Sequence, residues 1–420
     1  MSIVERDEPG DRVWHNWAGN LSAHPARWLR PATEEQALGA VRQAIRDGIS
    51  IRAVGAGHSF SPLVPTDGLM LDLGELRGIT GVDAKRRRVR ALAGTQIRDF
   101  GDALWECGLS LSNQGDIDHQ TFAGAIATAT HGSGIELGSF SSTVRWVRLI
   151  DGRGDVIEVG EDRLRELLAA ATSLGVLGVI LEVELEVSPA YDLQEEILFS
   201  SWEATRDGWE ENIASNRHFS FFWCPADISP SLYGLEAGGG LPFADRTYGK
   251  RYARALEPDD HARSTDIGNR RDRSYRIYPD INPEGISEFH ELEYFVDARR
   301  GLEAVSAVRD LMRERYPDQL YPLEVRHVAA ESSYLAPAFE RPSTVLSVSG
   351  KPGTDYLPFL WAFDELLASF EARAHWGKIH FFDRARIERV YPEFATFVAV
   401  RREFDPNGIY LNEHTRALFD

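Results

Sequence analysis

IRAVGAGHSFSPLVPTDGLMLDL, residues 51–73, decides the fold. IRAV reads as a strand running into the bare turn Gly55-Ala56-Gly57, and LMLD reads as the next strand. A turn without side chains lets backbone N–H groups close on a phosphate. A doubly wound dinucleotide fold would need a helix straight after the glycines, to aim its positive end at the pyrophosphate. Only eleven residues separate Gly57 from Leu69, Pro62 and Pro65 interrupt them, and Phe60 stands where a third glycine would be. The phosphate grip is therefore expected from a loop of amides, with the His58 imidazole beside whatever that phosphate carries.

Outward from this turn, Ala37, Val41, Ala44 and Ile45 share one face of a helix over 34–47, which Thr33 caps and Gly48 ends. Strands are expected at 86–92, 143–151 and 155–159, the last two joined by the turn Arg153-Gly154-Asp155, with helices at about 95–107 and 162–171. The run Val176–Ile180 and its alternating continuation read as strand, and Pro189 as an exit from this half. Segment 112–134, SNQGDIDHQTFAGAIATATHGSG, is almost free of bulk, as if backbone and small side chains lay against a flat ligand. Beyond 190 come strand-like FSFFWCP and ELEYFV and helices near 301–315 and 357–371, while 235–285 reads as a charged, mobile loop.

With 65 acidic against 46 basic residues, a net charge of −19 argues against nucleic-acid binding. No apolar run approaches a membrane span and MSIVERDEPGDRVWHNWAGN carries no signal-peptide pattern, so a cytoplasmic protein is expected. Cys107 and Cys224 make neither a disulfide framework nor a metal cluster, and Cys107 is expected as a buried small side chain. His290-Glu291-Leu292-Glu293-Tyr294 opens like a zinc-protease helix but lacks the second histidine, so no metal is expected there.

Two chemical sets stand out downstream. In a strand, positions i and i+2 share a face, so Glu324 and Arg326 of LEVRH would project together. His375-Trp376-Gly377-Lys378 offers a second cation.

GAGHSFS, DHQTFAGAIATATHGSG, SLGVLGVI, HWGK and DPNGIYLN, in this order, resemble the FAD-dependent aldonolactone oxidases and dehydrogenases. These are vanillyl-alcohol-oxidase-type flavoproteins close to the alditol oxidases. The resemblance spans about 16–418 and is thin over 200–285. It implies an α+β chain: a two-part PCMH-type FAD-binding domain over 1–189, a substrate cap with an antiparallel sheet over 190–375, and a C-terminal segment, 376–420, returning to the FAD domain. It implies FAD linked through His58. The pyrophosphate would lie against Ala53, Val54, Gly55, Ala56, Gly57 and Ser59. It would also meet the second loop, with Gly115, Gly124, Ala125, Ala127, Thr128, Thr130, His131, Gly132 and Gly134. Val179 and Ile180 would meet the adenine end. Glu324, Arg326 and Lys378 would be catalytic, acting on a small lactone or alcohol, with O2 as acceptor. Within that chemistry NQGDID and RREFDPNGIYLN look closer to the lactone group, with oxidation of a polyol or of a specialised alcohol as the alternative, and a flavin-binding protein without turnover is the rival from another class. Val348, where relatives place a histidine, and Ala374, where a proline is common, depart from the family and put the usual lactone substrate in doubt.

Overall fold

The computed structural model describes residues 13–235, 242–255, 268–278 and 288–420. Ile51–Val54 and Leu69–Asp72 are parallel strands, with Arg27–Leu29 on the far side of Leu69–Asp72. No helix follows Gly57; residues 55–68 are turns. The helix Glu34–Asp47 forms as its pattern requires. Ala37, Ala40, Val41 and Ala44 are buried, the Thr33 side chain accepts from the Gln36 amide, and Gly48 closes the end at φ 67°.

A second sheet runs Val156–Gly160, Val144–Ile150, Val179–Glu186, Arg88–Leu92, Ile79–Asp83, with every neighbouring pair antiparallel. The expected helix over 95–107 is shorter: a 3-10 turn Ile97–Phe100 continues into Gly101–Trp105. Cys107, just past it, is exposed rather than buried. The strand expected from Val176 starts at Val179, because Gly175 and Gly178 turn the chain at φ 67° and 158°.

The third sheet is antiparallel throughout: Arg271–Arg273, Asp192–Ser201, Arg246–Arg254, His218–Cys224, Leu323–Val328, Ser343–Gly350, His290–Asp297, Arg373–Ala374. Segment 235–285 is thus not one loop, since Arg246–Arg254 lies inside this sheet and pairs on both sides. The mobility expected for 236–241, 256–267 and 279–285 falls outside the described residues. Helices Gly301–Arg315 and Leu357–Ala368 pack on one face, where Tyr294 meets Phe363. The other face carries Glu291, Glu293, Glu324 and Arg326.

The C-terminal segment packs back on the first loop. Asn412 Nδ2 donates to the carbonyls of Pro62, Leu63 and Pro65 at 2.8, 3.3 and 2.9 Å. Buried Arg52 donates to the carbonyls of Leu63, Leu174, Gly175 and Tyr410, so one guanidinium ties four chain segments together. Burial lowers its pKa to about 10, with Asp405 opposing. Among the described residues no helix is long and apolar enough to cross a membrane.

Candidate active site

A cleft of about 1810 Å3, counting its open mouth, runs between the Val54–Phe60 loop and the polar face of the eight-stranded sheet. Ala53, Val54, Gly55, Ala56, Gly57, His58 and Ser59 line it, as do Gly115, Gly124, Ala125, Ala127, Thr128, Thr130, His131 and Ile180. Glu324, Arg326 and Lys378 reach the same cleft.

Gly132, Gly134 and Val179 lie outside its wall, for reasons of packing. A Cβ on Gly132 would meet the Gln114 carbonyl oxygen at 1.9 Å. Gly134 sits at φ 139°, and its amide donates to His327 O. The Val179 side chain is fully buried in the core. Val348 is not a pocket residue either. It pairs with Leu292 on the helix-covered face, and its neighbours Ser347 and Ser349 face the cleft side, bonded to Glu291 and Tyr233. A one-residue shift exchanges the two faces of a strand.

The loop is built to receive an anion. Among the described residues, the amides of Ala56, Gly57, His58 and Ser59 donate no hydrogen bond. Gly55 is forced by closeness, because a Cβ there would stand 2.0 Å from Thr121 Oγ1. Thr130 Oγ1 and Gln120 Oε1 are buried without a partner beside the same cleft. Open amides, a bare wall and orphaned polar atoms fit a nucleotide cofactor held in extended form.

His58 stacks on Trp17, with ring centroids 5.4 Å apart. Burial, then the nearby charges of Lys378 and His119, lower its pKa to about 4, which keeps its imidazole neutral. The strap carrying HWGK is pinned to this loop, since Phe60 N donates to Gly377 O at 2.7 Å and Ser61 Oγ to Trp376 O. That pinning brings Lys378 to the flank of His58 across more than 300 residues.

Opposite lies a network of alternating charge. Arg326 bonds Asp116 at 3.0 Å and Glu293, and its Nε lies 3.4 Å from Glu324. Burial opposes the guanidinium charge, but Glu324, Glu293 and Asp116 outweigh it and hold the pKa well above the ordinary value. Glu293 behaves conversely. Burial pushes it up, yet Arg326 and His131 hold it well below the usual carboxylate range. Burial pushes Glu324 up to about 8. Arg326 pulls against this shift, while Asp116, Glu291 and Glu293 add to it. Lys378 pairs with Glu291, and aromatic Trp17, Phe60, Phe222, Tyr233 and Phe289 complete the wall.

Glu291 and Glu293 escape the motif-based expectations above. The signal is present all the same: HELEY places two carboxylates at i and i+2 of a strand, by the same rule that finds Glu324 and Arg326. His131, Glu293 and His375 bring ligand-type atoms within 4.8 Å of one another. Burial lowers the His375 pKa to about 3, and its Nδ1 accepts from the Gly377 amide. Its hydrogen therefore sits on Nε2.

Residues 25–160 match the family described as FAD binding domain, and residues 264–418 match D-arabinono-1,4-lactone oxidase. L-gulono-1,4-lactone dehydrogenase of Mycobacterium tuberculosis is 32% identical over 96% of this chain and 98% of its own length. Alditol oxidase of a Streptomyces species is 30% identical, again over 96% and 98%. The structure of cholesterol oxidase from Brevibacterium sterolicum superposes with a TM-score of 0.82 over 100% of this chain and 99% of that one; at 14% identity it shows the shared fold. With both halves matched and a relative of this similarity end to end, the chain belongs to the FAD-dependent aldonolactone oxidoreductases, the family close to the alditol oxidases.

Proposed function

We propose that the protein oxidises a CH–OH group of an aldonolactone or related sugar-derived alcohol, and that Glu324, Arg326 and Lys378 carry the substrate chemistry. The observation behind this reading is convergence: these three side chains, His58 and the open amides of Ala56–Ser59 line one cleft. FAD, when bound, supplies the hydride acceptor and passes the electrons on, with O2 as acceptor and H2O2 as product. Residues 1–189 and 376–420 would hold it, His58 forming the covalent link, and 190–375 would shape the substrate side.

The protein's own share is orientation and charge. Arg326, kept cationic, and Lys378 stabilise negative charge growing on the substrate oxygen as its proton leaves. Glu324 anchors the hydroxyl and, once ionised, takes that proton. The base form is the ionised one, so reduction of the enzyme by substrate is expected to speed up as pH rises through about 8. Glu324→Ala or Lys378→Met should cut turnover at least about 100-fold. Full turnover in either variant with the best substrate among L-gulono-1,4-lactone, D-arabinono-1,4-lactone and xylitol would end the assignment. Acid precipitation tests the link: yellow colour should stay in the wild-type pellet and leave it in His58→Ala.

A further inference from the structure

We infer that Glu291 is a positioning residue for Lys378; this rests on the role proposed for Lys378 above. The strand His290–Asp297 acts as a rail for the strap that carries Lys378. His375 N donates to Glu293 O at 2.9 Å and Ile379 N to Glu291 O at 2.8 Å, so backbone bonds fix the strap on both sides of Lys378. From the same two rail residues the carboxylates turn into the cleft, and each takes one cation. Glu293 holds Arg326, and Glu291 holds Lys378. Glu291 has no freedom left of its own. One carboxylate oxygen accepts from Ser347 Oγ on the adjacent strand, the other from Lys378 Nζ, and the residue is buried.

A lysine needs such a partner. Its four-carbon stem is flexible, and its ammonium is a point charge without a directional fork. Besides Glu291, Lys378 meets the Phe60 ring 5.2 Å away and neutral His58, neither of which is an anion. Glu291 thus fixes where the second cation stands. A displacement of about 1 Å in such a group is worth on the order of 100-fold in rate.

The experiment is a double-mutant cycle on the flavin-loaded enzyme. Lys378→Met, Glu291→Gln and the double variant are reduced anaerobically by the best substrate of the panel above. A second readout is independent of turnover: the rate at which acetic anhydride labels Lys378, followed by peptide mass. The chain has only four lysines, which makes the assignment direct. Glu291→Gln should slow reduction about 10- to 100-fold with KM changed less than about 3-fold. The double variant should be no slower than Lys378→Met. Lys378 should label at least about 5-fold faster in Glu291→Gln than in the wild type, and Glu291→Asp should recover part of the rate. Losses that multiply, a wild-type rate in Glu291→Gln, or unchanged labelling would overturn the inference while the role of Lys378 stands. Full activity in Lys378→Met would instead remove the role on which the inference rests. If Glu291→Gln fails to keep its flavin, Ser347→Ala, which frees only the other carboxylate oxygen, takes its place in the cycle, with the same results expected and the same results overturning the inference.

Discussion

Replacing Glu324 by glutamine should make the protein more stable, and increasingly so as pH rises. In the unfolded chain this carboxyl loses its proton near 4.5; in the folded protein burial holds the proton until about 8. Below 4.5 both states are protonated and the group is neutral toward stability. Between the two values only the folded state keeps the proton. Stability is therefore lost as pH rises, by about 1.4 kcal/mol per unit, and the loss is complete above about 8. Glutamine has the shape of the protonated form and nothing to release. Groups remote from Glu324 titrate alike in both proteins and cancel in the difference. From pH 5.5 to 7.5 the variant should gain about 3 kcal/mol on the wild type. Urea unfolding of both proteins at half-unit pH steps, compared at a common slope, measures this. A difference flat to within about 0.5 kcal/mol over that range would refute the reasoning. It would mean that Arg326, 3.4 Å away, keeps Glu324 ionised despite its burial.

Gly55→Ala should lose bound FAD, seen as a fall in the flavin-to-protein absorbance ratio, because its Cβ would strike Thr121; Gly81→Ala, with nothing within 4 Å, should keep it. Asn412→Ala leaves the Pro62 and Pro65 carbonyls without their donor, while Leu63 keeps that of Arg52, and should cost about 2 kcal/mol, read as a lower Tm. Prolonged EDTA dialysis should leave turnover unchanged, since the Glu293 carboxylate is already paired with Arg326 and His131; loss of activity restored by a divalent cation would contradict this.

What is legible in the sequence follows from local rules. Pro62 and Pro65 exclude a helix after the glycines wherever the loop lies, and period two finds Glu324 and Arg326 without a structure. Period two also carries Glu291 and Glu293, but the likeness of HELEY to a helical motif hides the two carboxylates. Val348 is misplaced by sequence because STVLSVSG is buried on both faces, so hydrophobicity does not say which side meets the cleft. Gly132 and Gly134 are small because backbone and ring neighbours crowd the one and φ 139° constrains the other, a cause that composition cannot tell from a flat ligand. The strand RTYGKRYAR carries too many charges to look like the interior of a sheet.

The tethers on the Pro62–Pro65 loop set an order of events during synthesis. Ser61 waits for Trp376, Pro62 for Asn412, and Arg52 for Tyr410, at separations of 315, 350 and 358 residues. The ribosome will have released most of the polypeptide before these long-range tethers can close. Contacts of such range form late and slowly. Flavin capture should then be among the last steps of maturation. Nascent chains halted before residue 376 should stay colourless however much FAD surrounds them.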